Sequence, residues 1–383
     1  MSFDDTNIVL LSEIRADATL ELRLDSLPLH PLALGEVRVR MEAAPINPSD
    51  MGLLLASADL STAHTTGSGM GMRLTADLIK GRAKPFERRI GLALPIGNEG
   101  TGTVVEAAPD VRHMMGQKVA IFGGAMFVRY RTIAASDCLT VSAEATPAER
   151  AALFVNPLTA LAMVDTMRME GHRALIHTAA ASNLGQILVK ICNAESVDLV
   201  NIVRGEQQVA LLKDIGAHHV VDSTAPDFKE QLNRAIGETR ATIAFDAIGG
   251  GQMANMILHA MEASELRFSS GYSLYGTDVL KQIYIYGSLD LDRLTLDRGY
   301  GYAWSVSSFL LTQFLNKISP ARKATLLTQI AQGYNSTFAS TFSREVHLAD
   351  LLNPEILAGL LQKRTGEKYL LLLGDTQPGD WKV

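Results

Sequence analysis

Residues 173–185, RALIHTAAASNLG, hold the clearest chemistry in the chain, although few of them carry a reactive side chain. The apolar run Ala174-Leu175-Ile176 predicts a buried strand, and the small residues Ala179, Ala180, Ala181 and Ser182 predict a tight turn. From Gln186 to Asn193 the apolar periodicity is helical. A strand that turns through small residues into a helix is the start of a dinucleotide-binding βαβ unit. Small side chains let a diphosphate approach the backbone, and the helix N-terminus offers it unpaired N–H groups and a partial positive charge. In place of G-x-G-x-x-G the chain has Ala179-x-x-Ser182-x-x-Gly185. The expected contacts are therefore made through the backbone, by Ala180, Ala181, Ser182, Asn183, Leu184 and Gly185.

The segments that follow supply the sheet to hold this turn. Strands are predicted at 198–204, 219–222 and 241–248, and helices at 206–215, closed by Gly216, and at 228–236. Such alternation implies a parallel sheet covered on both faces, with its ligand at the carboxyl ends of the strands. The second strand ends in Arg204, where an NAD-type site would place a carboxylate and an NADP-type site a cation. A guanidinium fork suits a 2′-phosphate, so NADPH is the expected cofactor; the other reading of Arg204 is a solvated strand-end charge, and Glu206 lies close by. Ala247, Ile248 and Gly249 end the fourth strand, where the ring-linking ribose would pass. A helix at 253–263 and a strand at 266–270 would put Gly271 and Tyr272 at the next strand end, bordering the nicotinamide. Tyr272 or Tyr275 could donate a proton there, or simply pack. His177 reads as a satisfied buried histidine.

Composition narrows the alternatives. The chain has 383 residues, enough for two domains, and is 47% hydrophobic and 20% charged, without a disorder signature. A formal net charge of −6 argues against nucleic acid or an anionic membrane as the main partner. Cys138 and Cys192 are too few for a zinc cluster or a disulfide framework and suit a reducing cytoplasm. No apolar run is long enough to span a membrane, and the N-terminus lacks the cations of a signal peptide.

The first part of the chain is β-rich. Residues 21–24 and 37–42 alternate with period two, and 43–50, AAPINPSD, reads as a loop. Residues 51–89 read as a long insert: a mobile glycine loop at 67–71, a helix at 74–79, and a basic cluster of Arg82, Lys84, Arg88 and Arg89. That cluster is either a solvated face or part of a lid. Gly97, Gly100 and Gly102 fit a bulged strand that passes close to another backbone. Further strands follow, until Asn156 and Pro157 open a helix at 158–169. The expected division is a β-rich domain at 1–150, with a C-terminal return at about 338–383, and a nucleotide domain at 151–337. In the last third, 282–288 reads as a strand and 304–317 and 320–336 as helices; 341–351 and 368–373 should rejoin the first sheet.

These pieces together resemble the medium-chain dehydrogenase/reductase superfamily, and most of all its zinc-free quinone oxidoreductase and enoyl reductase branch. The resemblance rests on APINPSD, PIGNEGTGTVVEAAPDV, GQKVAIFGG, ERAALFVNPLTALAM, AAASNLG, LLKDIGAHHVVD and AFDAIGG. It is good over about 90–250 and weak in the C-terminal third. It implies a GroES-like catalytic domain and a Rossmann domain, with nicotinamide and a small-molecule substrate meeting in a cleft between them. By carry-over, Asn47 lies by the nicotinamide or the substrate carbonyl and Thr159 near the carboxamide. Asp50 orients a ribose or a water, or caps the next helix. Zinc members of the superfamily have a cysteine in the loop where this chain has Asp50 and a His-Glu pair where it has Asn98-Glu99, so no metal is expected. Related enoyl reductases carry a tyrosine just after the NPSD loop; residues 51–60 contain no Tyr or His. The resemblance also implies a homodimer, formed through edge strands near 266–288. Two readings stay open: an NADPH-dependent reductase of quinones or α,β-unsaturated carbonyl compounds, and a nicotinamide-binding redox sensor or structural protein with little turnover.

Overall fold

Short runs of β-branched and apolar residues, each closed by a polar or glycine turn, build the sheet that holds the candidate turn. In the computed structural model, which describes residues 6–362 and 366–374, the strand Ala174–Thr178 is buried along its whole length. It pairs in parallel with Asp198–Val203 on one side and Ile243–Asp246 on the other. His219–Asp222 extends the first side; Lys281–Ile285 and then Trp304–Ser308 extend the second. In order of appearance the six strands therefore lie 3-2-1-4-5-6. This is the doubly wound Rossmann arrangement, and its order reverses between Ala174–Thr178 and Ile243–Asp246. One face of the sheet carries Ile176, Ala244 and Ile283, which pack with Ile236, Leu258 and Met261 from the helices Phe228–Thr239 and Met253–Leu266.

The chain divides into two compact units, one running to Val155 and resuming at Ala331, the other spanning Asn156–Ile330. The first unit is β-rich. One of its sheets has five strands, and the other has seven, with Glu36–Ile46 paired to Glu99–Ala107, Tyr130–Ala134 and Tyr369–Leu372. The C-terminal strands Arg344–His347 and Tyr369–Leu372 do rejoin this sheet. The glycine-rich strand behaves as its sequence implies. Its register against Glu36–Ile46 shifts between Met41 and Ala43, and a Cβ on Gly102 would stand 2.1 Å from the Arg40 carbonyl oxygen.

Several elements differ from expectation. Residues 43–46 complete the strand Glu36–Ile46, and the helix Pro48–Leu55 begins where a loop was expected to continue. The insert is largely a hairpin. His64–Thr66 pairs with Arg73–Asp77, which in turn pairs with Thr19–Pro28, so 74–79 is not helical. Alternate inward side chains of that strand, Leu74 and Ala76, join the core, which a helix could not arrange. Met253–Leu266 runs past 263, so the strand expected at 266–270 is absent and the chain crosses back in a loop. Residues 304–308 form the outermost strand of the parallel sheet, and only Leu311–Lys317 is helical. Lys281–Ile285 is therefore an interior strand rather than an edge.

Candidate functional site

The nucleotide unit places the expected contact residues on both sides of the sheet's reversal point. Ala179 takes a left-handed backbone, φ 51°, directly after the first strand. Ser182 caps the helix Asn183–Ala194, its hydroxyl accepting from Gly185 N–H at 3.2 Å. Ala180, Ala181 and Leu184 are buried, so only their backbone can meet a ligand, while Ser182 is exposed. A Cβ on Gly185 would lie 2.0 Å from the Ala180 carbonyl oxygen, which is why the helix can pack so tightly onto its own turn only with glycine there.

Across the reversal, Asp246 organises the second turn. Its buried carboxylate accepts from Thr178 Oγ1 at 2.7 Å, Ile248 N–H at 2.9 Å and Gly249 N–H at 3.2 Å. Thr178 Oγ1 accepts in turn from Ala247 N–H at 2.8 Å. Ala247, Ile248 and Gly249 are therefore fixed to the end of the first strand. Gly249 has φ 77°, and a Cβ there would meet the Gly287 carbonyl oxygen at 2.3 Å. Thr178 and Asp246 were not singled out from the sequence. The signal was present: one carboxylate inside the otherwise apolar run 241–248.

At the second strand end Arg204 is exposed, and its N–H donates to Gln208 Oε1 at 2.8 Å. The carboxylate at the neighbouring strand end, Asp222, is occupied locally by Thr224 N–H at 2.9 Å and Thr224 Oγ1 at 2.8 Å. Thr159 is buried in the helix Val155–Met169. Gly271 and Tyr272 are not at a carboxyl strand end. They lie in the loop that precedes Lys281–Ile285, with Tyr272 91% exposed, because the long preceding helix leaves that loop to carry the chain back. Tyr275 shares the loop and stacks edge-on with Tyr302 at 5.5 Å. The residues that do follow the fifth strand are Tyr286 and Gly287.

The β-rich unit gathers a second constellation. Asn47 is buried, and its Nδ2 donates to Glu99 Oε1 at 2.8 Å. Glu99 Oε2 accepts from the Phe154 and Val155 N–H groups, both at 2.9 Å. Asp50, the third residue of the helix Pro48–Leu55, accepts at Oδ2 from the N–H of Asn47, the residue that opens the helix, at 2.7 Å. Lys368 places its Nζ in this buried setting, 5.3 Å from the centre of the Phe342 ring. Lys368 Nζ, Asp50 Oδ1 and Asn47 Oδ1 have no hydrogen-bond partner among the described residues. Burial pushes Asp50 up to about 7, with the Glu99 charge adding to the rise, and pushes Lys368 down to about 8. Arg89, from the basic cluster read as a solvated face or part of a lid, caps the end of Pro48–Leu55, donating to Leu53 O at 2.8 Å and Gly52 O at 3.2 Å. Asn98 Nδ2 donates to Ser49 Oγ at 3.0 Å. Among the described residues no three His, Cys, Asp or Glu side chains are grouped to hold a metal ion, and no helix is long and apolar enough to cross a membrane.

Comparison with known proteins agrees with this architecture. Residues 184–289 match the zinc-binding dehydrogenase family model, a stretch that excludes Asp50 and Asn98-Glu99. The mitochondrial enoyl-[acyl-carrier-protein] reductase of Xenopus tropicalis is 26% identical over 65% of this chain and 66% of its own length. That of Bos taurus is 26% identical over 63% of this chain and 60% of its own. The chain thus spans less than two thirds of either enzyme. A Mesorhizobium loti structure assigned as an NADPH:quinone reductase superposes with a TM-score of 0.69 at 23% identity, covering 97% of this chain and 100% of that one. The Etr1p complex with NADP and crotonyl-CoA gives 0.68 at 18% identity, covering 96% and 99%. In these comparisons the chain is similar to the medium-chain dehydrogenase/reductase superfamily and has its fold. In fold, its β-rich unit corresponds to the GroES-like part and the parallel sheet to the Rossmann part.

The buried charges make a pH signature. Asp50 moves from 3.8 to about 7 on folding, so between those values the folded chain holds a proton that the unfolded chain has lost. This contribution lowers stability as pH rises through that window. Lys368 moves from 10.5 to about 8, so above 8 the folded chain has shed a proton that the unfolded chain keeps, and stability recovers. Burial also pushes Glu99 up, so urea midpoints across pH should show Asp50→Asn making the falling limb shallower, with the Glu99 part remaining, and Lys368→Met losing the rising one. An Asp50→Asn profile parallel to wild type below pH 7 contradicts this.

Proposed function

We propose that the chain is an NADPH-dependent oxidoreductase that reduces a quinone or an α,β-unsaturated carbonyl substrate without a metal. The observation that carries this reading is the pair of turns at the sheet's reversal point, Ala180–Gly185 and Ala247–Gly249, tied together by Thr178 and Asp246. The donor set fits a dinucleotide. Small buried residues front a capped helix N-terminus, and Arg204 stands exposed beside a carboxylate already engaged by Thr224. Enoyl reductases among the relatives, and a neighbour holding NADP with crotonyl-CoA, favour the same chemistry.

When bound, the nicotinamide supplies the hydride. The chain's own part is to bind, orient and exclude water. The backbone at 180–185 would hold the diphosphate against the helix terminus. Arg204 would take the 2′-phosphate by a charge-assisted contact, and Ala247–Gly249 would hold the ribose. The three positions where zinc members carry a cysteine and a His-Glu pair are engaged within the protein here, Asp50 by Asn47 N–H, Asn98 by Ser49, and Glu99 by Asn47 Nδ2 and the Phe154 and Val155 N–H groups, which supports a metal-free site. Asn47 and Thr159 remain the proposed residues near the nicotinamide.

Stopped-flow NADPH oxidation with a panel of quinones and enals tests this. Turnover with at least one class is expected, unaffected by chelator. Arg204→Ser should weaken NADPH by about tenfold or more while leaving NADH binding nearly unchanged, since a lost charged hydrogen bond costs about 1.5–3 kcal/mol. Tight NADPH binding with no oxidation of any acceptor makes the protein a nicotinamide sensor instead.

A homodimer also fits, though through a different strand from the one expected. Among the described residues Trp304–Ser308 pairs only with Lys281–Ile285, leaving its outer edge open beside the exposed Tyr302 and Leu310. Light scattering should report twice the chain mass, and Val306→Pro should return it to one. A wild-type monomer at micromolar concentration contradicts the dimer.

A further inference from the structure

The proposed ribose turn is held from two sides. Asp246 accepts from its N–H groups, and the segment that follows the strand Lys281–Ile285 donates to its carbonyls. Leu289 N–H donates to Ala247 O at 3.1 Å, Asp290 N–H to Ile248 O at 2.9 Å and Thr295 N–H to Gly251 O at 2.9 Å. The glycines of the turn record how closely this segment lies. A Cβ on Gly250 would stand 2.6 Å from the Asp292 carbonyl oxygen and 2.8 Å from that of Asp290. Residues 287–295 are therefore laid along 247–251.

The far end of this segment is fastened to the helix Met253–Leu266. Asn255 and His259 stand four residues apart on that helix and so share a face. Both reach Asp297. His259 Nε2 lies 2.8 and 2.9 Å from the two Asp297 carboxylate oxygens, and Asn255 Nδ2 donates to Oδ2 at 3.1 Å. In return Asn255 Oδ1 accepts from Asp297 N–H at 2.9 Å, while Gly299 N–H donates to Asp297 Oδ1 at 2.9 Å. The bond from His259, then those from Gly299 and Asn255, hold the Asp297 carboxyl down to about 2. Facing an ionised carboxylate, which only accepts, the imidazole Nε2 must donate. The His259 ring also packs edge-on against the buried Tyr300 at 5.1 Å, and a Cβ on Gly299 would meet its Cε1 at 2.4 Å. An exposed clamp of this kind adds little to global stability, so its effect falls on the segment it fastens.

We infer that residues 287–299 are a strap that sets the carbonyl side of the proposed ribose turn, and that Asp297, clamped by His259 and Asn255, is the positioning residue that keeps the strap seated. This rests on the NADPH-dependent reading above. With Asp297 removed the strap lifts for part of the time, and the turn is then held by Asp246 alone. Only the seated fraction is ready for cofactor, so the apparent Kd for NADPH rises by the inverse of that fraction. Saturating cofactor selects the seated form, and the hydride step then proceeds as before.

The test begins without cofactor. Amide hydrogen exchange in Asp297→Ala should quicken about fivefold at Leu289, Asp290 and Thr295, the size of one net hydrogen bond, while Gly185 N–H keeps its wild-type rate. NADPH titration should then show binding weakened about fivefold, with kcat at saturating NADPH and the urea midpoint close to wild type. Asp297→Asn keeps an oxygen for His259 and for Gly299 N–H, and should recover most of the affinity. His259→Phe keeps a ring against Tyr300 but removes the donor. It should weaken NADPH in the same direction, and it carries the test if Asp297→Ala fails to fold. Wild-type exchange rates in the variant overturn the strap. Faster exchange with wild-type NADPH affinity overturns the positioning role. In both cases the reductase reading stands. A wild-type chain that binds no NADPH overturns both.

Discussion

The buried Asp246 carboxylate is the constraint on which the nucleotide unit depends. It lies where the strand order reverses, and it spends its oxygens on Thr178 and on the N–H groups of Ile248 and Gly249. A carboxylate this deep is costly unless its lone pairs are filled, and here they are filled by the backbone it must hold in place. The same bonds join the end of one strand to the turn after the other. The small-residue turn and the glycine turn are thus held to each other. The tight contact of Gly185 with Ala180, and of Gly287 with Ala247, then leaves backbone as the surface a ligand meets.

The β-rich unit solves a different problem. Asn47, Asp50, Glu99 and Lys368 come from a strand end, a helix start, a glycine-rich strand and the C-terminal return. Two carboxylates and one amine share a buried space, and Asp50 Oδ1 and Lys368 Nζ lack hydrogen-bond partners among the described residues. Glu99 earns its place structurally by receiving the Phe154 and Val155 N–H groups. Lys368 Nζ has no hydrogen bond among the described residues and is held by Coulomb attraction to the carboxylates and by the Phe342 ring. Such an arrangement costs stability when fully ionised and so ties this unit to pH.

Most of the parallel sheet was legible because its strands are apolar on both faces and end in polar or glycine turns. Val200, Ile202, Ile243 and Phe245 announce themselves that way. What was not legible depended on distant pairing. Trp304–Ser308 mixes serines with two apolar residues and runs into a leucine-rich helix, so its strand character comes from Lys281–Ile285 alongside it. The hairpin around 64–77 depends likewise on Thr19–Pro28. The position of Gly271 and Tyr272 failed for the same reason: one misplaced strand moved them from the carboxyl end of the sheet to the loop before a strand. Arg89 read as a solvated charge or a lid cation because charge in a sequence says nothing of which carbonyls it will reach.

The account comes down to backbone amides at a sheet's reversal point meeting a diphosphate. Amide chemical-shift mapping of the deuterated chain during an NADPH titration tests that most directly. The largest shifts should fall on 180–185, with a second group at 247–249 and Arg204. Saturating NADPH that moves none of these amides, or that moves only residues of the β-rich unit, would contradict it.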